Sequence, residues 1–322
     1  MLYLNSKDMM NIGINWKRVT EIIRESVDVM NDQDFSQPIK PYLNFDDSSN
    51  RMIAMPAFIG GHFSVAGIKW IASFPKNIEK NLARANAVTI LNDANTGVPF
   101  AIMNGTILSG IRTAAVSGLM IQVFDQVRDL NHVTVGIIGF GPIGQFHLQM
   151  VINILGDKID QVMIFDLLKV DQNKIPEKIN KKVIISSSWQ EVYQDSDILM
   201  TCTVSSKGYI DLSPKQGSLI LNVSLRDFKP EVLDYHLTTV VDNWEEVCRA
   251  NTDIHVMHNE RGLQKSDTLD IKSVICDHAL DHIPKDQTVI FHPMGMAVFD
   301  IAVAQYYYQK AVTLGYGQHL EK

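Results

Sequence analysis

The sequence predicts an α/β protein made of a Rossmann-type doubly wound parallel sheet plus a discontinuous α+β domain. Three observations predict it. The stretch from Val133 to Asp166 runs strand, glycine turn, helix, strand. Beyond it, short and nearly continuous apolar runs alternate with helical segments, as in a parallel sheet covered on both faces. Before it stands a block of β-like runs broken by turn residues, and the last helix comes too late to belong naturally to the nucleotide sheet. A chain of 322 residues is long enough for two cores, at roughly 100–200 residues per domain. The expected boundaries are residues 1–113 with 296–322 for one domain and 114–295 for the Rossmann domain.

In chain order, Trp16 to Met30 carries Val19, Ile22, Ile23, Val27 and Met30 on one face at helical spacing, which predicts a one-sided surface helix. Ile39–Leu43, Met52–Met55, Val65–Ile71, Ala87–Leu91 and Pro99–Met103 follow as strands, with Asp93-Ala94-Asn95-Thr96-Gly97 a hairpin loop between the last two. The pattern turns helical from Arg112 to Arg128. After Asp166 the strand candidates are Val183–Ile185, Ile198–Val204, Leu219–Val223, Thr239–Val241 and Val289–Phe291. The helix Ala297–Leu314 is expected to return to the first domain.

The turn reads Gly139-Phe140-Gly141-Pro142-Ile143-Gly144. Its first glycine allows a sharp turn, the second a close approach to a pyrophosphate, and the third close packing of helix on strand. The free N–H groups of the helix that follows then face the phosphates. Asp166 lies roughly 20 residues on, where a carboxylate accepts the ribose hydroxyls and repels a 2′-phosphate, so NAD is expected over NADP.

A formal net charge of −7 gives no electrostatic footprint for nucleic acid or an anionic membrane. No apolar run is read as reaching the roughly 18 residues of a membrane span, and the N-terminus lacks a basic-then-apolar leader, so a cytoplasmic location is expected. Cys202, Cys248 and Cys276 are odd in number and far apart, as expected of reduced thiols. His278/His282 and His255/His258 have helical spacing but lack the glutamate and third ligand of a zinc hydrolase, so no metal is expected.

Arg51, Lys69 and Arg112 are isolated cations in apolar or small-residue surroundings with no acid near in sequence. A buried cation costs free energy unless it is paired. Either each meets a distant Asp or Glu, or together they await a carboxylate-bearing ligand, with the arginine fork giving two-point recognition.

Arg51, Gly67-Ile68-Lys69, Ile90-Leu91-Asn92-Asp93 with Gly97-Val98-Pro99, Ile111-Arg112-Thr113-Ala114-Ala115 and the glycine turn occur in an order that resembles the ornithine cyclodeaminase/μ-crystallin family over essentially the whole chain. The resemblance implies a homodimer whose first domain binds substrate and dimerises, a nicotinamide cofactor, and α-amino or imino acid chemistry. It implies Arg51, Lys69 and Arg112 as the carboxylate-binding set, Thr113 near the cofactor phosphates, and Thr201, Cys202 and Thr203 near its adenosine or nicotinamide ribose. Cyclodeaminases carry an aspartate where this chain has Leu225, although Asp227 stands two residues on. Lys40-Pro41-Tyr42-Leu43, Met55-Pro56, Gly67-Ile68-Lys69-Trp70-Ile71 and Pro293-Met294-Gly295-Met296-Ala297 resemble instead the branch that makes L-2,3-diaminopropionate for siderophores and peptide antibiotics, supplied by a PLP-dependent synthase. The implied reaction is NAD-dependent oxidation of a glutamate conjugate at its α-carbon, followed by hydrolysis. A substrate with three carboxylates needs a further cation, for which Lys40 is the candidate, with Lys76 and Arg84 behind it. Lys69, His62 and Asp227 are the acid/base candidates. The rival readings are a cyclodeaminase or imine reductase, and a non-catalytic nucleotide-binding protein.

Overall fold

The computed structural model describes residues 1–47 and 49–321. The chain begins with β1 (Leu2–Leu4), α1 (Ser6–Ile12), α2 (Trp16–Asn31), β2 (Phe35–Ser36), β3 (Tyr42–Asn44), β4 (Arg51–Ile59), β5 (Val65–Ser73), β6 (Ala85–Asp93), β7 (Pro99–Asn104) and α3 (Gly105–Arg128). Then come β8 (Val133–Ile138), α4 (Pro142–Leu155), β9 (Ile159–Phe165), β10 (Val183–Ile185), α5 (Trp189–Asp195), β11 (Ile198–Thr201), β12 (Leu219–Asn222), β13 (Thr238–Val241), α6 (Trp244–Val247), α7 (Asp253–Arg261), β14 (Thr268–Asp270), α8 (Ile271–Ile275) and β15 (Val289–His292). The helix α9 (Ala297–Leu314) and β16 (Gln318–His319) follow.

The chain divides into two units, residues 1–112 with 295–322 and residues 113–294. Unit 1 holds a mixed sheet ordered β16-β1-β7-β6-β5-β4-β2, with β3 also on β4. Its central strands β4, β5, β6 and β7 pair antiparallel, so one face gathers Met55, Lys69 and Thr89 in one row. The helices α2 and α9 pack on this sheet. In α2 the predicted apolar positions Val19, Ile22, Ile23, Val27 and Met30 are all buried. Asn15 caps its first turn by accepting from the Arg18 N–H.

Unit 2 holds an entirely parallel sheet ordered β10-β9-β8-β11-β12-β15-β13-β14. The order reverses between β8 and β11, and in such sheets ligands bind beyond the carboxyl ends of the strands at that point. The strands β11, β12 and β15 are buried along their whole length.

The helix α3 differs from the sequence reading in two ways. The helix expected from Arg112 starts at Gly105, because an added Cβ there would come within 2.9 Å of Ala87, and only glycine lets α3 begin so close to β6. This helix is also long and apolar enough to cross a membrane, contrary to the expectation that no segment is, although most of it is buried in the protein.

Candidate functional site

In unit 2 the glycine turn is closed on two sides and open on the third. Gly139 takes a φ of +92, and a Cβ there would lie 2.7 Å from the Cys202 backbone. A Cβ on Gly144 would lie 2.2 Å from the Gly139 carbonyl oxygen, whereas Gly141 has nothing within 4 Å of that position. Gly141 is the N-cap of α4 and supplies no side-chain cap. The first-turn N–H groups of α4 therefore look for an acceptor from outside the helix.

Asp166 follows the last residue of β9 and has both oxygens engaged. Oδ2 accepts from the Phe140 N–H at 2.6 Å and Oδ1 from the Leu168 N–H at 2.8 Å. A carboxylate has about four lone-pair sites, so each oxygen keeps capacity for a ribose hydroxyl. Beside it lies a shallow depression lined by Leu167, Leu168, Lys169, Val170 and Ile185. Leu167 and Leu168 are 91% and 79% exposed, apolar surface that a purine ring would cover.

The helix after the turn is fastened by His147. Its Nδ1 donates to the Ile143 carbonyl at 2.8 Å, so Nε2 accepts from the Ser117 hydroxyl at 2.9 Å. Burial pushes its pKa down to about 4, and the ring is a neutral strut between α3 and α4.

The carboxyl ends of β11, β12 and β15 supply Thr201, Asn222 and His292. The Thr201 hydroxyl donates to Asn222 Oδ1 at 3.1 Å, and Asn222 Nδ2 donates to Asp253 Oδ2 at 2.7 Å and to His292 Nδ1 at 2.9 Å. His292 thus carries its proton on Nε2, which is buried with no partner among the described residues. Asp227 is fully buried and accepts from Thr203 Oγ1 at 2.5 Å and from the Ser224 hydroxyl. Burial raises its pKa, against the lowering hydrogen bonds from Thr203, Thr201 and Tyr209. Burial likewise pushes Asp253 up to about 7, opposed by the Asn222 amide and the Phe228 N–H and assisted by the Asp227 charge. Desolvation also raises the thiol of Cys202, a half-buried residue. Leu225 holds a φ of +62 with its side chain packed in the apolar core of unit 2. That left-handed conformation suits Asn or Asp far better than leucine.

In unit 1 the structure brings together Lys40, Lys69 and Arg112, which are 3%, 2% and 6% exposed, and adds an acid that the sequence reading missed. Asp300, in the first turn of α9, offers a single oxygen, Oδ1, to Arg112 Nε at 2.9 Å and to Lys69 Nζ at 3.2 Å. Its Oδ2 is buried with no partner among the described residues. Of the two readings of the predicted cations, a distant acid is present for two of the three positions, Lys69 and Arg112. It is one carboxylate for two cations. Lys69 spends a second N–H on the Ser109 hydroxyl at 2.7 Å. Burial pushes Lys69 down to about 8, partly offset by the Asp300 charge and reinforced by repulsion from Arg112 and Lys40. Burial alone would raise Asp300, but Arg112 and Lys69 together outweigh it and hold the carboxyl below its ordinary range.

Lys40 Nζ donates to the Gly295 carbonyl at 2.8 Å. Gly295 has a φ of +84, and a Cβ there would lie 2.7 Å from Arg112 Nη1, so glycine keeps the guanidinium in place. Asp300 was legible by the rule used for the cations, as a lone acid within the apolar run Ala297-Val298-Phe299-Asp300-Ile301-Ala302.

The other candidates lie elsewhere. His62 stands 58% exposed at the surface, 3.1 Å from Glu25 and against the Phe63 ring, outside the buried cation group. Lys76 is taken by Asp47 at 2.8 Å on the exposed side. Arg51 sits over the Tyr42 ring, 5.8 Å from its centroid. Thr113 is the first residue of unit 2, one position after Arg112 in α3.

The profile of the ornithine cyclodeaminase/mu-crystallin family matches residues 5–314. The chain is 34% identical to N-((2S)-2-amino-2-carboxyethyl)-L-glutamate dehydrogenase of Staphylococcus aureus, over 97% of this chain and 95% of that protein. Among solved structures it superposes on a Thermococcus litoralis Δ1-pyrroline-2-carboxylate reductase in complex with NADH and L-proline. The TM-score is 0.87 at 23% identity, covering 99% of this chain and 100% of the other. An archaeal alanine dehydrogenase dimer with bound NAD gives a TM-score of 0.83 at 23% identity, covering 100% of this chain and 99% of the other.

Proposed function

The chain belongs to the ornithine cyclodeaminase/mu-crystallin family, and from that premise we propose that it is an NAD-dependent dehydrogenase acting on N-(2-amino-2-carboxyethyl)-L-glutamate. NAD, when bound, supplies the hydride acceptor. The glutamyl Cα–N single bond becomes C=N with loss of a proton. Water adds to that carbon and the C–N bond breaks, giving 2-oxoglutarate and L-2,3-diaminopropionate. Siderophore or peptide-antibiotic assembly would use the amine, and a PLP-dependent synthase would supply the substrate.

The observation that carries this reading is the sharing of one Asp300 oxygen by two buried cations. One positive charge has no counter-ion in that triad, and a substrate carboxylate on the outer nitrogens of Arg112 would neutralise it. Lys69 and Lys40 add attraction for anions, and an ornithine side-chain ammonium would be repelled. Thr113 and the first turn of α4 would hold the cofactor phosphates, Asp166 the adenosine ribose, and Thr201, Cys202 and Thr203 its other ribose. Open space at Gly141 is what a pyrophosphate passing against the backbone requires. Proton transfer falls to Asp227, which burial brings toward neutrality. Leucine at 225 removes the carboxylate that ring closure would use.

The test is to mix the protein with NAD and N-(2-amino-2-carboxyethyl)-L-glutamate and follow reduced-cofactor absorbance together with 2-oxoglutarate. Both are expected in equal amounts. Proline and ammonia from ornithine would sink the reading in favour of a cyclodeaminase, and NAD binding without turnover of any glutamate conjugate would leave a nucleotide-binding protein.

A homodimer forms part of the proposal. The β-sheet face of unit 1 opposite Lys69 carries rows Ala54-Trp70-Val88 and Pro56-Ile68-Ile90-Ile102, apolar and only partly buried. Ile68→Glu would put a charge at the centre of this face and is expected to turn the dimer into monomer by sedimentation velocity, with the melting temperature of unit 2 unaffected. An unchanged dimer would show that this face is not the interface.

A further inference from the structure

Asp227 is the candidate acid/base group, yet no part of it reaches solvent. Nor can it swing out. Its N–H and that of Phe228 each donate to Asp253 Oδ2 at 3.1 Å, and the same oxygen takes the Asn222 amide at 2.7 Å. Its carbonyl accepts from the Tyr209 and Ile210 N–H groups, both at 2.8 Å. The turn before it is locked as well, since the Leu225 N–H donates to Asn222 Oδ1 at 3.1 Å and the Leu225 carbonyl accepts from the Asp253 N–H at 2.8 Å. With its backbone fixed on both sides, this carboxyl cannot go to a substrate, so protons have to come to it.

Both of its oxygens end on hydroxyls: Oδ1 accepts from Thr203 and Oδ2 from Ser224. The Thr203 oxygen also holds the Ser205 N–H at 3.1 Å, and Thr203 belongs to the set assigned to the cofactor. Ser224 is placed differently. It is half-buried and stands two residues beyond β12, past the carboxyl ends of the strands, where ligands bind in such sheets. Its oxygen lies 3.0 Å from the Thr201 hydroxyl, which has Asn222 Oδ1 as an acceptor at 3.1 Å. A hydroxyl donates one proton and has two lone pairs, so the Ser224 oxygen can take a proton on one side while giving its own to Asp227 on the other.

We propose that Ser224 is a proton relay, through whose hydroxyl the buried Asp227 exchanges protons with the substrate. This rests on the dehydrogenase reading above. In the hydrolytic step a water oxygen bonds to the carbon of the protonated C=N, and the π pair passes to nitrogen. The water proton moves to the Ser224 oxygen as the serine proton moves to Asp227 Oδ2. On collapse the nitrogen takes a proton back along the same path, the C–N bond breaks, and the new hydroxyl becomes C=O by releasing its proton to water.

Wild type, Ser224→Ala and Ser224→Thr would each be mixed with NAD and N-(2-amino-2-carboxyethyl)-L-glutamate in H2O–D2O mixtures. Ser224→Ala is expected to lose about a hundredfold in kcat, at the lower end for a positioned proton-transfer group, with KM and NAD affinity within about twofold of wild type. Ser224→Thr keeps the hydroxyl and should recover most of the rate. Two protons move together in the relay, so the single-turnover rate of wild type should fall along a curve as the deuterium fraction rises. A wild-type rate in Ser224→Ala, a rise in KM in place of the fall in kcat, no recovery in Ser224→Thr, or a straight line for wild type would each overturn the relay. The reaction itself is scored apart: if wild type does not turn over this conjugate, the dehydrogenase reading fails and the relay is read without substrate. The infrared carboxyl band of Asp227, assigned by its loss in Asp227→Asn, is then followed as acidified protein is mixed with D2O. Exchange slower in Ser224→Ala than in wild type supports the relay, and equal exchange overturns it.

Discussion

Gly144→Ala is expected to abolish NAD binding. The new methyl carbon would lie 2.2 Å from the Gly139 carbonyl oxygen, inside any permitted contact, and the obstacle is backbone rather than a side chain that could swing away. The turn and α4 must then move apart, costing about 1–3 kcal/mol in packing and spoiling the only arrangement in which their N–H groups converge. Titration of NAD against protein fluorescence should show at least a thirtyfold loss of affinity, about 2 kcal/mol. Gly141→Ala separates the fold from the ligand. Nothing lies within 4 Å of its added carbon, so the melting temperature without NAD should be unchanged while NAD affinity falls. Wild-type affinity in both variants would mean that no pyrophosphate lies against this turn.

The second large effect is expected from Asp300→Asn, which keeps the shape and an acceptor at Oδ1 but removes the charge shared by Lys69 and Arg112. Breaking a buried ion pair from one side costs about 3–5 kcal/mol, because the remaining cations stay desolvated without a counter-ion. The pH dependence follows from the shifts. Asp300 has a depressed folded pKa, so its contribution is complete above the unfolded carboxylate pKa and is lost as pH falls through the folded one. Lys69 is pushed down to about 8, below its unfolded value, so its charged form destabilises the fold, and stability rises with pH above about 8 as the folded chain loses this proton first. Without Asp300, Lys69 would give up its proton at lower pH still. Urea unfolding should therefore show the full loss at pH 7 and a smaller one at pH 9.5. Equal stability of variant and wild type at pH 7 would mean the triad is not a buried ion network.

The parallel sheet and its glycine turn were legible because both are written locally: an apolar run, three glycines at fixed spacing, a helix and an acid. The chain outside it was legible as two helices, Trp16–Met30 and Ala297–Leu314, and as a set of strands without their order. The strand expected over Met52–Met55 runs from Arg51 to Ile59, through Pro56. Proline is tolerated there because β3 pairs β4 up to Ile53 and β2 from Phe58, leaving Pro56 hydrogen-bonded toward β5 alone. The carboxylate that meets Lys69 and Arg112 could not be assigned from spacing, since Asp300 comes from the far end of the chain. Arg51 was grouped with Lys69 and Arg112 by motif, and strand register sets it on the same face of the sheet as Lys69, at the start of β4 and opposite Ser73. Periodicity says which face a strand residue takes, and not which of several cations on that face become neighbours.

Asp166 has a further consequence for how this scaffold could be redesigned. The carboxylate that would select the cofactor's sugar also fastens the turn, through the Phe140 and Leu168 amides. Exchanging it for serine to admit a phosphorylated ribose would slacken the loop on which the rest of the dinucleotide depends. Switching coenzyme in this lineage is therefore a coupled change: a replacement tether for Phe140 has to arrive with, or before, the loss of the acid.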